Sequence, residues 1–104
     1  MAPIERITLF KISDDAAIDR VLEQYKVLAK TAEKDGKPYI LNVAAGRSFP
    51  DPRNKGYNLS VKTRFASMED MKYYDVECEA HKALKAVLLP VKEDVLTTYY
   101  ESVV

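Results

Sequence analysis

Several residue types that usually signal a particular chemistry are scarce in this chain of 104 residues, which has one cysteine, one histidine and no tryptophan. A single cysteine cannot form an intrachain disulfide, and Cys78 with His81 cannot supply the four ligands of a structural zinc site. These absences exclude a disulfide scaffold and a zinc finger. Composition alone therefore indicates no particular reaction.

An excess of charge of one sign is also lacking. The 16 basic and 16 acidic residues give a formal net charge of zero, so we expect neither nucleic acid nor an anionic membrane as a partner. No apolar run approaches the roughly 20 residues of a membrane span, and the N-terminal residues do not resemble a signal peptide. We expect a cytoplasmic protein with a single domain at residues 1–104.

Hydrophobic periodicity predicts four strands separated by helical regions. Apolar residues alternate in four segments, at residues 4–12, 39–49, 57–65 and 91–104. Asp14 and its neighbours are suited to begin a helix that ends near Gly36, and Ser67 begins a capping box. The second helical region ends before Pro90, with a break near Asp75 that gives two short helices.

The resulting order, strand, helix, strand, strand, helix, strand, is typical of an α+β domain of the ferredoxin-like β-α-β-β-α-β type. Such a protomer has a four-stranded antiparallel sheet with its helices on one face. In the first strand, Ile7 and Leu9 point to one face while Ile4 and Phe10 point to the other, so both faces need cover. We therefore expect a homodimer that packs sheet against sheet.

Short motifs in a characteristic order resemble the stress-responsive dimeric α/β-barrel (Dabb) family over nearly the whole chain. They are the first strand at residues 4–12, the Gly-Tyr pair at 56–57, the segment FASMEDM at 65–71, Tyr73-Tyr74-Asp75, and Ala80-His81. The resemblance implies ferredoxin-like protomers whose sheets pair into a dimeric α/β-barrel. This agrees with the homodimer expected from the strands with two apolar faces.

A plant polyketide cyclase of this family suggests what such a protein does. It closes a linear polyketide by intramolecular aldol condensation, without a metal or organic cofactor, in a pocket between the helices and the sheet. By similarity, the catalytic histidine corresponds to His81 and the preceding tyrosine to Tyr73 or Tyr74. The resemblance thus implies an apolar pocket for a hydrophobic small molecule and, if the protein is an enzyme, a cyclase or lyase without cofactors.

The same resemblance suggests residues that contact the substrate. Tyr25 matches a tyrosine in the first helix of the cyclase. Arg6 replaces a histidine that is common in the first strand of the family, and Leu59 replaces a histidine in the third strand of the cyclase. We expect these three positions to contribute to substrate binding, and we expect no metal ligands.

Each candidate residue also has a simpler interpretation. His81 titrates near neutral pH, as a general acid or base requires, but it could equally pair with Glu77 on the preceding helical turn. Cys78 could be a nucleophile or a small buried hydrophobe. The 7 tyrosines could line a ligand pocket or belong to the core and an interface.

Two further hypotheses for the function therefore stay open. One is a protein of stress response or assembly that is not catalytic and whose role rests on a stable dimer. The other is a heme-dependent or flavin-dependent member of the broader group of dimeric α/β-barrels.

Overall fold

Alternating apolar residues build one antiparallel sheet, whose helices pack on a single face. The computed structural model describes residues 2–104. The strands, in the order β2-β3-β1-β4 across the sheet, all pair antiparallel with their neighbours, which confirms the ferredoxin-like prediction. The elements are β1 (Ile4–Ile12), α1 (Asp15–Thr31), β2 (Ile40–Arg47), β3 (Leu59–Phe65), α2 (Met68–Val76), α3 (Glu79–Leu88) and β4 (Lys92–Glu101).

Side-chain oxygens cap two of the helices where the sequence predicts. The Asp14 carboxylate accepts a hydrogen bond from the backbone N–H of Ala16 at 3.1 Å, and the Ser67 hydroxyl accepts one from the N–H of Asp70 at 3.1 Å. Each cap satisfies a backbone donor that has no partner within its helix. The second helical region is divided in two, but the break lies at residues 77–78 rather than near Asp75.

The end of α1 differs from the prediction. The helix stops at Thr31, and Ala32 is already extended. Gly36, which we expected to end the helix, instead adopts a φ of 76° in a separate turn. Two backbone hydrogen bonds between Lys34 and Lys37 close this turn. The glycine therefore allows a tight turn after the helix and does not cap the helix.

A bulge interrupts β2 at Leu41. The register with β3 shifts between Ile40, opposite Phe65, and Asn42. The predicted alternation is therefore wrong at Leu41, which is 54% exposed. Beyond the bulge, Val43 faces the helices together with Ile40.

The core lies between the helices and the helix-side face of the sheet. Its larger fully buried side chains come from α1, β3 and α3, and they are Ile18, Val21, Leu28, Leu59, Phe65 and Leu84. None of the helices among residues 2–104 is long and apolar enough to cross a membrane.

One row of paired residues crosses the helix-side face and places the candidate site. Val43 of β2 pairs with Thr63 of β3, Thr63 pairs with Arg6 of β1, and Arg6 pairs with Tyr99 of β4. Side chains in such a row share one face and one level along the strands. Arg6 and Val43 are therefore at the same height, two strands apart.

No helix within residues 2–104 covers the opposite face of the sheet. Leu96 and Tyr100 of β4 are 43% and 46% exposed there. Glu5 of β1 is buried on this face under Arg64 and Lys62, whose nitrogens lie 2.9 and 3.4 Å from its carboxylate. As the sequence predicts, the sheet thus carries apolar side chains on both faces.

The cap of α2 gives a test of this fold. Substituting Ser67→Ala removes the acceptor for the Asp70 N–H, so the free energy of unfolding should fall by about 1 kcal/mol. Urea denaturation followed by circular dichroism measures it. Ser102→Ala, in the exposed C-terminal tail, is the matched control, and an equal effect of the two substitutions would contradict the capping role.

Candidate functional site

Side chains from four elements meet at the helix-side face of the sheet. They are Arg6 of β1, Tyr25 of α1, Tyr74 and Asp75 of α2, and His81 of α3, which we call the His81 cluster. The structure therefore brings together four of the residues that the sequence suggested and adds Asp75.

The imidazole of His81 is buried and held in one orientation. Its Nδ1 lies 2.7 Å from the carbonyl oxygen of Tyr74, and its ring stacks on the Tyr74 ring with centroids 3.7 Å apart and planes 12° apart. A carbonyl only accepts hydrogen bonds, so Nδ1 carries the proton. Nε2 is then the nitrogen with a free lone pair.

This orientation follows from the break between α2 and α3. The last carbonyls of a helix lack partners within it. At the end of α2, the Tyr74 carbonyl accepts from His81, and the Asp75 carbonyl accepts from Lys85 Nζ at 2.6 Å. Both donors belong to α3, so these two bonds to the carbonyls at the end of α2 fix α3 against α2.

The predicted alternative, a pair between His81 and Glu77, is wrong. Glu77 is the C-terminal cap of α2 and does not belong to the helix that carries His81. The spacing of four residues therefore does not place the two side chains on one helical face. The histidine uses a backbone carbonyl instead.

Arg6 lies beneath this pair of rings. Its Nη1 is 2.8 and 2.9 Å from the two carboxylate oxygens of Asp75, and its guanidinium carbon is 5.4 Å from the centroid of the Tyr74 ring. The Arg6 side chain is only 11% exposed. The ion pair joins β1 to the end of α2, next to the carbonyl that orients His81.

Burial sets the protonation states of the cluster. Burial lowers the pKa of His81 from 6.5 to about 4. The positive charge of Lys85 lowers this pKa further, whereas the hydrogen bond to the Tyr74 carbonyl raises it. Burial raises the pKa values of Tyr25 and Tyr74 far above 10, although the positive charge of Arg6 lowers both. At neutral pH the cluster therefore holds a neutral imidazole and two protonated phenols.

Three polar atoms of the cluster keep contact with solvent. Among residues 2–104, Tyr39 Oη is the one side-chain polar atom that is fully buried without a hydrogen-bond partner. The hydroxyls of Tyr25 and Tyr74 and Nε2 of His81 have no partner among these residues either, so each reaches solvent. These atoms are available to a ligand.

A cleft of about 530 Å³ lies next to the cluster, between α1 and β2. Tyr25 belongs to both the cleft and the His81 cluster, whereas His81 and Tyr74 do not line the cleft. Small side chains on β2 leave room for it. The residues that line this α1/β2 cleft are Asp19, Leu22, Glu23, Tyr25, Lys26, Ala29, Val43, Ala44 and Ala45.

Two residues from the sequence analysis lie away from the cluster. Tyr73 turns to the other side of α2, where its hydroxyl donates to the Glu33 carbonyl at 3.1 Å, so Tyr74 is the tyrosine next to His81. Leu59 is fully buried and pairs with Phe10 of β1. Phe10 lies four residues along β1 from Arg6, so this pair is roughly 13 Å from Arg6. Leu59 offers no surface to a ligand in this protomer.

Two other features bear on the chemistry. Cys78 is 1% exposed and behaves as the small buried hydrophobe of the simpler interpretation. No three His, Cys, Asp or Glu side chains within residues 2–104 converge to hold a metal ion.

Sequence reasoning missed Asp75 and Lys85. The available signal was an arginine on the helix-side face of a strand, because a buried guanidinium requires an anionic partner.

Comparisons with known proteins agree with this fold. The family model described as Stress responsive A/B Barrel Domain (Dabb) matches residues 4–102. A protein of Gibberella zeae described as a fusaristatin A biosynthesis cluster protein is 42% identical over 97 residues, covering 93% of this chain and 70% of the relative.

Two solved structures share the fold. A dimeric ferredoxin-like protein of unknown function from Thermobifida fusca has a TM-score of 0.80 at 18% identity, covering 97% of this chain and 92% of that one. A hydroxynitrile lyase from Passiflora edulis has a TM-score of 0.78 at 15% identity, covering 97% and 94%. At these identities the likeness establishes the fold alone. The match of the family model over nearly the whole length shows that the chain belongs to the Dabb family of stress-responsive α/β-barrel domains.

Proposed function

We propose that this chain is a cofactor-independent acid–base enzyme of the cyclase or lyase type, which acts on a hydrophobic small molecule. The observation that carries the proposal is the hydrogen bond from His81 Nδ1 to the Tyr74 carbonyl. It fixes the tautomer and leaves the lone pair of Nε2 free to take a proton. A histidine that served packing alone would gain nothing from an open Nε2.

The neighbouring groups suit an aldol cyclisation. Nε2 removes a proton from a carbon between two carbonyl groups, and the hydroxyl of Tyr25 or Tyr74 donates to the enolate oxygen that forms. The carbanion attacks a carbonyl carbon further along the same molecule, forming the carbon–carbon bond. The imidazolium then returns its proton to the new alkoxide, a step that the burial of the ring and the nearby Lys85 and Arg6 charges favour because they disfavour the imidazolium.

The α1/β2 cleft supports the choice of substrate class. Leu22, Val43, Ala44 and Ala45 give it an apolar wall, as a site for a hydrophobic molecule requires. The Gibberella zeae relative belongs by its description to a biosynthetic gene cluster, which supports a substrate from small-molecule biosynthesis such as a polyketide.

Replacing the proposed base tests this mechanism. With a linear poly-β-keto carboxylic acid as probe, His81→Gln should slow enzyme-dependent cyclisation by roughly 10² to 10⁴-fold, the usual contribution of general acid–base catalysis. Product formation is followed by liquid chromatography and mass spectrometry, after subtraction of the spontaneous reaction.

Glu77→Gln is the matched control, because Glu77 is exposed and lies outside the cluster. It should cyclise the probe at the wild-type rate. If His81→Gln keeps its fold and cyclises the probe as fast as Glu77→Gln, His81 is not the base.

The titration of His81 gives a second prediction, and a single histidine makes its NMR signal unambiguous. We expect an imidazole midpoint near pH 4, where burial places the pKa. The folded state thus disfavours protonation of His81, whereas in the unfolded chain its pKa is near 6.5. The free energy of unfolding therefore decreases as pH falls from about 6.5 to about 4. The loss is on the order of 3 kcal/mol.

Denaturant unfolding at several pH values measures this loss. In His81→Gln that part of the pH dependence should disappear. A midpoint near 6.5 in the folded wild-type protein would show that the imidazole is solvated and not held as described.

A second candidate function is a non-catalytic protein of stress response or assembly whose role rests on a stable homodimer. The uncovered sheet face favours it, because Leu96 and Tyr100 of β4 expose apolar surface there. The solved structure from Thermobifida fusca is described as dimeric, which supports the same arrangement here.

Sedimentation tests the dimer. Wild-type protein at low micromolar concentration should sediment with twice the mass of one chain, and Leu96→Lys should shift it toward the monomer, because a buried unpaired charge is costly at an interface. Val27→Lys changes an exposed valine of α1 and should leave the dimer intact. A monomeric wild-type protein would contradict this interface.

A further inference from the structure

Arg6 presents an unused hydrogen-bonding edge inside the His81 cluster. Both contacts with Asp75 are made by Nη1 alone. Among residues 2–104, Nε and Nη2 have no hydrogen-bond partner, and neither is fully buried. These two nitrogens form the parallel pair of donors that matches a carboxylate in a bidentate arrangement.

The charges around His81 favour an anion. Arg6 pairs with the Asp75 carboxylate, and Lys85 donates to the Asp75 carbonyl, so two cations and one anion lie at the end of α2. In a partly buried site an excess positive charge is stabilised when a negative group joins it. A ligand carboxylate would supply that group.

The geometry of the sheet also connects Arg6 with the α1/β2 cleft. Arg6 and Val43 belong to the same cross-strand row, with Thr63 between them, so they are roughly 10 Å apart. Tyr25 belongs to both the cluster and the cleft. Its hydroxyl has no partner among the described residues, so Tyr25 is the side chain that links the two.

We propose that the ligand of this site is a hydrophobic carboxylic acid, whose carboxylate binds Nε and Nη2 of Arg6 while its hydrocarbon part occupies the α1/β2 cleft. This inference rests on the proposed function because it concerns the same site, and it specifies the substrate class as a hydrophobic carboxylic acid. It depends on Arg6 rather than on the basicity of His81.

Binding of decanoate, with decanol as the uncharged probe of the same length, tests the proposal. We expect decanoate below its micellar concentration to bind at least about tenfold more tightly than decanol, in keeping with a hydrogen bond between charged groups. Isothermal titration calorimetry measures the affinities, and the NMR signals of the Arg6 Nε–H and the His81 imidazole report the place of binding.

Two arginine variants separate the site from general charge effects. Arg6→Gln should remove the preference for decanoate. Arg53→Gln should keep it, because Arg53 is exposed and its side chain pairs, among the described residues, with Asp51 alone. Equal binding of the two probes by the wild-type protein would overturn the proposal. So would an Arg6→Gln variant that still prefers decanoate as strongly as Arg53→Gln.

Asp75→Asn distinguishes ligand binding from a structural role of the ion pair. It frees Nη1 and removes a competing negative charge, so decanoate should bind as tightly as to the wild type or more tightly. If Arg6 only held α2 in place, both Asp75→Asn and Arg6→Gln would weaken binding, and the proposal would be wrong.

His81→Gln makes failure of this inference distinguishable from failure of the proposed mechanism. It should retain the preference for decanoate, because it leaves the guanidinium in place. If His81→Gln binds decanoate and still cyclises the probe at the wild-type rate, the proposed mechanism is wrong and the carboxylate site is unaffected.

Discussion

The arrangement of the site depends on one hydrogen bond across a helix break, from His81 to the carbonyl of Tyr74. Because α2 ends before α3 begins, the carbonyl has no donor in its own helix and is free to accept from the next one. The same bond selects the imidazole tautomer, stacks two rings and draws α3 against α2. A continuous helix through residues 77–78 would satisfy the carbonyl internally and leave the histidine without an orientation.

Around this bond, the cluster combines burial with incomplete hydrogen bonding. A partly buried ion pair joins β1 to α2, and the stacked rings lie above it, yet the phenols and Nε2 are left without partners among the described residues. Because these three atoms reach solvent, they carry no penalty for a buried polar group without a partner. They are the part of an otherwise buried cluster that is left open.

Much of the fold could be predicted because periodicity reports which face of an element is buried. The alternation in β1 and β3 and the caps at Asp14 and Ser67 were clear from the sequence. The bulge at Leu41 was not, because bulges depend on pairing with a neighbouring strand. For the site, a resemblance to the family indicated His81 and Arg6. Their partners could not be predicted, because the Tyr74 carbonyl is free only where the helix breaks, and Asp75 lies 69 positions from Arg6 in the sequence.

The bulge in β2 also has a consequence for how copies of the chain can join. β2 and β4 are the two outer strands of the sheet, and an irregular outer strand is a poor template for another strand, whereas a regular one invites pairing. Leu41 disturbs one border, and at the other the register of β4 with β1 shifts between Lys11 and Ile12, so growth of the sheet is disfavoured on both sides. With both borders interrupted, copies of the chain are left to join through the faces of the sheet, which favours a closed pair over an open fibre.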